Sequence, residues 1–163
     1  HQQLSGHVAG AIYNRFIKLS GNGKFPTPSE IINMNPEILR GAGLSKAKTI
    51  YVKSVAEMAL NGSIPPLKEC DKLTDEELKE QFMKIKGVGP WTVEMLLIFN
   101  LGRLDVLPIH DLGVRKGFQI AYKKRKLPTP EQLDRFGRKW KPYRTIATLY
   151  LWGAADFLNL NEW

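Results

Sequence analysis

Cysteine is almost absent from this sequence: Cys70 is the single cysteine among 163 residues. One cysteine excludes a disulfide within the chain, and it excludes an iron–sulfur cluster or other metal site that needs several cysteine ligands. A lone thiol agrees with a reducing compartment. Apolar runs of the roughly 20 residues that span a bilayer are also lacking, so the sequence does not predict a membrane protein. We therefore expect an intracellular globular protein.

Alternating apolar and polar residues, the pattern of a half-buried strand, are lacking as well, whereas helix signals recur. Three segments match the capping box of a helix N-terminus: TPSE (Thr27–Glu30), TDEE (Thr74–Glu77) and TPEQ (Thr129–Gln132). Two other predicted helices begin near Ser5 and Ser45. Three more are predicted over about Pro90–Leu101, His110–Tyr122 and Arg144–Phe157. The sequence therefore predicts an all-α fold. Its length suits one domain, or two small lobes that share a core.

Negative charge is scarce in one part of the chain. The whole sequence has 24 basic and 16 acidic residues, a net charge of +8. Between Arg115 and Arg144 there are 11 basic residues against two acidic ones, Glu131 and Asp134, so this segment holds the entire excess. Such concentration is typical of a surface that binds a polyanion. The alternative is a solvated, lysine-rich surface without a ligand.

Two glycines lie close together in the stretch MKIKGVGPWTVEML, which begins at Met83. Gly87 and Gly89 stand where one predicted helix ends and the next begins, and glycine allows a tight reversal there. Pro90 then presets the backbone for the first turn of the next helix. Backbone N–H groups around Val88–Trp91 would face a phosphate oxygen, with Lys84 and Lys86 supplying positive charge. The alternative is an ordinary helical hairpin.

The string Lys-Gly-Val-Gly-Pro-Trp-Thr resembles the helix-hairpin-helix motif of DNA-binding proteins. Together with LPIHDLGVRKGF (Leu107–Phe118) it is similar to the pattern of the helix-hairpin-helix–Gly/Pro…Asp superfamily of base-excision DNA glycosylases, whose catalytic Asp follows the hairpin by about two dozen residues. Asp111 lies 22 residues after Gly89. KWKPYRTIATLYLW (Lys139–Trp152) and QQLS (Gln2–Ser5) resemble segments of the 3-methyladenine DNA glycosylase II branch.

This resemblance implies one glycosylase domain over residues 1–163, with the motif at about 76–101 and an active-site cleft between two helical lobes. Because the chain begins at His1 without an initiator Met, we also expect that upstream residues are missing. No cofactor is implied for the chemistry. The implied partner is double-stranded DNA with damaged bases, bound by a monomer. The implied location is the bacterial cytoplasm and nucleoid or the eukaryotic nucleus.

The resemblance assigns catalysis to Asp111, whose carboxylate would stabilise the electron-poor sugar as the base leaves. The same residue is also a candidate N-cap for the helix that starts near Leu112. His110 is interpreted as a surface residue at the helix start, with a part in catalysis as the alternative. Asp105 receives no assignment beyond helix or loop polarity. Relatives that cleave the DNA backbone carry a lysine where this chain has Trp91, so a monofunctional glycosylase without lyase activity is predicted.

The pocket for the damaged base is assigned to Trp152, Trp91, Met95 and Leu112. Alkylated purines such as 3-methyladenine and 7-methylguanine are cationic, and aromatic faces hold cations by stacking and cation–π attraction. Trp152 matches the base-pocket tryptophan of the family, although core packing is an alternative. Met95 and Leu112 occupy positions where some relatives have aromatic residues, which leaves the substrate range open.

The remaining implied roles concern DNA. The predicted DNA-binding residues are Lys84, Lys86, Gly87, Val88, Gly89, Trp91, Thr92, Arg115 and Lys116. The residue that fills the vacated base stack is expected among Gln3, Leu4 and Ser5, with Gln3 preferred. A Na⁺ or K⁺ ion at the hairpin would be held by the main-chain carbonyls of Met83, Ile85 and Val88. For Lys123–Lys126, phosphate contact and a solvated loop are equally compatible with the sequence.

The function implied by the resemblance is base-excision repair. The protein would flip alkylated purines out of duplex DNA and hydrolyse their N-glycosidic bonds. A non-catalytic helix-hairpin-helix module that only binds DNA is one alternative, and a glycosylase for another damaged base is a second. The presence of Asp111 favours an enzyme over a binding module.

Overall fold

A computed structural model describes residues 6–21 and 23–159, with side chains from 7 to 156 apart from residue 22. The regular secondary structure within these ranges consists of helices and includes no strand, so the all-α prediction is confirmed. The α-helices are α1 (Gly6–Ile17), α2 (Pro28–Asn33), α3 (Pro36–Gly41), α4 (Lys46–Leu60), α5 (Leu67–Cys70), α6 (Asp75–Phe82), α7 (Pro90–Met95), α8 (Leu112–Ala121), α9 (Pro130–Gly137) and α10 (Arg144–Asn159). None of these helices is long and apolar enough to cross a membrane.

Local capping explains where several helices begin. In all three predicted capping boxes the Thr hydroxyl accepts a hydrogen bond from the third helical N–H, and the Glu or Gln side chain reaches back to the Thr backbone. Because these backbone bonds favour the ionised carboxylate, the pKa values of Glu30 and Glu77 lie below their usual range. Ser45 caps α4 as predicted. The predicted cap at Ser5 lies outside the described residues.

The described residues form two compact units, one ending at Val88 and the other beginning at Gly89. The first unit has a core of Phe16, Ile31, Leu39 and Ala56. Lys53 extends from α4 and donates hydrogen bonds to the carbonyl oxygens of residues 32 and 34, at 2.8 and 2.7 Å. These bonds satisfy carbonyls at the end of α2, which have no partner within that helix.

The second unit packs α8 closely against α10. Its core consists of Leu107, Val114, Phe118, Leu133 and Leu151, and Trp152 packs against it. Gly117 makes the approach possible, because a Cβ at that position would collide with the carbonyl group of Leu151. The close contact brings the start of α8 near the middle of α10, which is where the candidate site lies.

The first turn of α10 is fixed to the segment that precedes α8. Arg144 donates to Asp105 from Nε at 2.6 Å and from Nη2 at 2.9 Å, and the hydrogen bonds hold the pKa of that carboxyl below its usual range. The Thr145 hydroxyl donates to the carbonyl oxygen of Arg103 at 2.7 Å and accepts from the backbone N–H of Val106 at 2.9 Å. Asp105, unassigned from sequence, therefore has a structural role.

Three predicted helix boundaries differ from the structure. The helix predicted over about Pro90–Leu101 is α-helical only to Met95 and continues as a π-helical segment, Leu96–Asn100. The helix predicted from His110 begins two residues later, because Asp111 is its cap and has extended backbone. The last helix extends to Asn159 instead of Phe157.

Candidate active site

Asp111 is the N-cap of α8. Its Oδ1 accepts a hydrogen bond from the backbone N–H of Val114 at 2.8 Å, which confirms the predicted capping role. The positive end of the helix dipole at this position stabilises a negative charge. The side chain is half-buried, so its carboxylate is held at a helix start while still reachable from outside.

Two tryptophan indoles also bind the Asp111 carboxylate. Trp91, in α7, donates from Nε1 to Oδ2 at 2.7 Å, and Trp152, in α10, donates from Nε1 to Oδ1 at 2.9 Å. With the Val114 N–H, the carboxylate has three N–H donors among the described residues. Charge-assisted hydrogen bonds of this length fix the orientation of a carboxylate. The structure therefore brings together three residues that the sequence had assigned to catalysis and the base pocket.

The position of Trp152 depends on two residues that sequence reasoning missed. A Cβ on Gly113 would lie 3.0 Å from the Trp152 ring and 3.1 Å from Asp111 Oδ1, so glycine leaves room for the hydrogen bond between them. Phe99 stacks on the Trp152 indole with ring centroids 5.9 Å apart and an angle of 16° between the planes. Phe99 is nevertheless 64% exposed, which leaves aromatic surface open beside Trp152.

The other predicted pocket residues lie next to this cluster in sequence. Leu112 follows Asp111 and is half exposed, and Met95 lies one helical turn after Trp91 and is half-buried. Trp152 combines both interpretations offered by its sequence position, because it packs against the core of the second unit and also donates to Asp111. His110 is exposed and is not among the donors to Asp111.

The two hairpin glycines have different functions. Gly87 has a positive φ of 88°, and a Cβ there would also collide with the ring of Tyr51 in α4. Gly89 is extended, with φ −108° and ψ 176°, and a Cβ there would meet nothing within 4 Å. The tight reversal for which glycine was predicted thus needs a glycine at Gly87 and not at Gly89. The Gly89 carbonyl accepts from the N–H groups of residues 92 and 93, which opens α7.

Before the hairpin glycines, a buried apolar side chain lies between two exposed lysines. The side chain of Ile85 is buried, and those of Lys84 and Lys86 are exposed. The Ile85 carbonyl accepts a hydrogen bond from the Val88 N–H at 3.0 Å. Within the described part of the chain no group of three or more His, Cys, Asp or Glu side chains is placed to hold a metal ion. A monovalent cation held by the carbonyls of Met83, Ile85 and Val88 uses no side chain and stays a prediction.

The basic segment lies within the second unit and is mostly exposed. Arg115 is half-buried and donates from Nε to the carbonyl oxygen of Pro128 at 2.8 Å, so part of its hydrogen-bonding capacity serves the fold. Lys116 is exposed, as is the run Lys123–Lys126. Lys139 lies over the Phe136 ring at 3.4 Å from the centroid. The predicted wedge residues Gln3, Leu4 and Ser5 lie outside the described residues.

Comparisons with known proteins identify the family of this chain. The family model described as "HhH-GPD superfamily base excision DNA repair protein" matches residues 1–142. The chain is 46% identical over 161 residues to DNA-3-methyladenine glycosylase 1 of Schizosaccharomyces pombe, covering 99% of this chain and 71% of that protein.

Two solved structures have a similar fold. One is the Schizosaccharomyces pombe 3-methyladenine DNA glycosylase (Mag1) in complex with abasic DNA, with a TM-score of 0.89 and 46% identity over 93% of this chain and 73% of that one. The other is a DNA-3-methyladenine glycosidase from Bacillus halodurans, with a TM-score of 0.82 and 37% identity over 100% of this chain and 74% of that one. With the family match and the identity to these relatives, the motif-based assignment is confirmed, and the chain belongs to the HhH-GPD superfamily of base excision DNA repair proteins.

Proposed function

We propose that the protein is a monofunctional DNA glycosylase that removes alkylated purines, of the 3-methyladenine and 7-methylguanine type, from duplex DNA. The observation that carries this proposal is the Asp111 carboxylate, held by two indoles and a helix N-terminus in a chain 46% identical to a DNA-3-methyladenine glycosylase. The target nucleotide must first leave the base stack, because its glycosidic bond is inaccessible within the duplex.

The chemistry needs a negative charge beside the sugar. As the C1′–N bond breaks, its electron pair moves to the departing purine and neutralises the positive charge that alkylation placed there. The sugar becomes oxocarbenium-like, and the Asp111 carboxylate stabilises it. Water then adds to C1′ and releases a proton, which leaves an abasic site. Since the cationic base leaves as a neutral molecule, no general acid is required.

The aromatic surface next to Asp111 supports selectivity for cationic bases. Phe99 and Trp152 are stacked on each other, and the open surface of Phe99 is suited to a positively charged purine ring by stacking and cation–π attraction. Trp91, Met95 and Leu112 complete the proposed pocket. A neutral, undamaged purine gains less from these faces and also leaves less readily from the sugar.

Binding to DNA is assigned to the hairpin and the basic segment. The hairpin contributes the backbone N–H groups of Gly87, Gly89 and Trp91, because those of Val88 and Thr92 donate within the protein. The exposed Lys84 and Lys86 lie beside them in sequence. Arg115 and Lys116 are assigned to phosphates near the lesion. A Na⁺ or K⁺ ion on the carbonyls of Met83, Ile85 and Val88 would bridge to a phosphate, and Gln3, with Leu4 and Ser5, would fill the vacated stack. The protein would act as a monomer in the bacterial nucleoid or the eukaryotic nucleus.

Base release from methylated duplex DNA tests this function. Wild-type protein should release 3-methyladenine and 7-methylguanine, and Asp111→Asn should reduce the single-turnover rate by at least about 100-fold, as for loss of a principal electrostatic group. Asn retains an oxygen for the helix cap, so the variant should still fold. Asp156→Asn, at an exposed carboxylate in α10, is the matched control.

Three results would contradict the proposal. Substantial release by Asp111→Asn would refute the catalytic assignment. If wild-type protein binds duplex DNA but releases no modified base, the non-catalytic module is the better description. Borohydride should trap no covalent adduct in the same reactions, because Trp91 has no amine to form a Schiff base; a trapped adduct would refute a monofunctional mechanism.

A further inference from the structure

We infer that Trp91 is a positioning residue for Asp111, an inference that rests on the proposed function. Its indole N–H donates to Oδ2, whereas both other donors, the Val114 N–H and Trp152, bind Oδ1. Rotation of a carboxylate about its Cβ–Cγ bond is broad, so donors on Oδ1 leave its plane able to tilt. The hydrogen bond from Trp91 prevents this tilt. It fixes Oδ2, which has one donor and can still accept a further hydrogen bond.

The Trp91 indole comes from a rigid part of the second unit. Pro90 begins α7, and Val93 and Leu97, which follow within two turns, are both fully buried. Proline presets the first helical turn, and buried apolar residues hold the helix in place. The donor therefore has little freedom to move away from Asp111, as positioning requires.

An aromatic ring that only lines a pocket would not need an N–H group. A half-buried tryptophan presents a large apolar body and one polar atom, and that atom here meets the carboxylate at 2.7 Å. Phenylalanine supplies a similar apolar face without the donor. The two roles are therefore separable by one substitution, Trp91→Phe.

The kinetic test measures single-turnover release of 7-methylguanine and the affinity for the same duplex. Trp91→Phe should reduce the release rate roughly 10- to 100-fold, the effect of losing a hydrogen bond to a charged group, and should leave the Kd for DNA unchanged. Equal rates for wild type and Trp91→Phe would overturn the inference. A weaker Kd with an unchanged rate would also overturn it, since Trp91 would then be a DNA contact.

A second measurement needs no activity. In ¹H–¹⁵N spectra of the free protein, the Trp91 indole resonance should move when Asp111→Asn is introduced. With the amide oxygen kept at the α8 cap, an NH2 group takes the place of Oδ2, and this group cannot accept a hydrogen bond from Trp91. The indole of Trp140, which packs among Phe118 and Phe136, provides an internal reference. An unchanged Trp91 resonance would refute the hydrogen bond. Absence of base release by wild-type protein would instead refute the proposed function, and the spectrum would still decide the hydrogen bond.

Discussion

Asp111 uses its two carboxylate oxygens differently. Oδ1 closes the first turn of α8 and also accepts from Trp152, so the residue that starts the helix is the same one that faces the proposed chemistry. Oδ2 is bound by Trp91 alone among the described residues. A helix start is a rigid place for a reactive carboxylate, because its side chain is already fixed by a backbone hydrogen bond.

Phe99 offers the clearest substitution that changes the pocket without touching Asp111. Phe99→Leu should lower the single-turnover rate for 7-methylguanine by roughly 5- to 30-fold, because loss of the π face removes stacking and cation–π attraction of about 1–2 kcal/mol. Phe99→Tyr retains the aromatic face and is the matched control, with a rate close to wild type. If Leu and Tyr variants release the base equally fast, Phe99 takes no part in base recognition.

Among single residues of the candidate site, the sequence predicted those that belong to a motif with a characteristic spacing. It did not predict the others. Asp111, Trp91 and Trp152 each belong to a motif, and the structure places all three in one cluster. Phe99 belongs to no such motif, and Gly113 lies within the segment Leu107–Phe118 but had no role predicted for it. An apolar aromatic residue in a predicted helix is normally interpreted as part of the hydrophobic core. The roles of Phe99 and Gly113 follow only from their contacts with Trp152 in the folded structure.

Among the elements, the start of α10 has the most direct bearing on the site, because α10 carries Trp152. Arg144 and Thr145 fix it to residues 103–106, the segment that leads to Asp111. The helices with capping boxes were predictable because a cap is a local signal between residues three apart. The π-helical segment Leu96–Asn100 was not, because the apolar pattern there fits an α-helix equally well.

The ion pair of Asp105 and Arg144 predicts a pH-dependent contribution to stability. Because the folded pKa of Asp105 is lowered, its contribution is complete above the ordinary Asp pKa of about 4 and is lost as the pH falls through the lower folded value. Asp105→Asn should therefore lower the Tm by about 3–6 °C at pH 7, for a loss of about 1–2 kcal/mol. The difference from wild type should shrink progressively below pH 4.

Thermal unfolding at several pH values checks this prediction. Asp134→Asn is the matched control: it removes an exposed ion pair with Arg138, at 3.4 Å, and exposed pairs contribute little. Its Tm should stay near that of wild type at every pH. A Tm difference for Asp105→Asn that is constant from pH 7 to pH 3 would show that the carboxylate charge does not stabilise α10.

For the molecule as a whole, charge is the property that sequence predicted most directly. The segment from Arg115 to Arg144 holds the net positive excess, and all of it belongs to the unit that contains Asp111. Because counting charges requires no knowledge of packing, the basic segment could be predicted from the sequence alone. Counting did not reveal which cations are engaged within the protein: Arg115 is bonded to Pro128, and Lys139 covers the Phe136 ring.

The salt dependence of DNA binding tests whether this segment contacts phosphates. Each phosphate contact contributes about 0.9 to the slope of log Kobs against log salt concentration, through release of condensed counterions. Lys116→Gln should therefore weaken binding to every duplex sequence alike and reduce the slope by about 1. Lys68→Gln, an exposed lysine of α5 in the first unit, is the matched control and should leave the slope unchanged. Equal slopes for both variants would place the phosphate contacts outside Lys116, whereas a loss that depends on sequence would indicate contact with base edges.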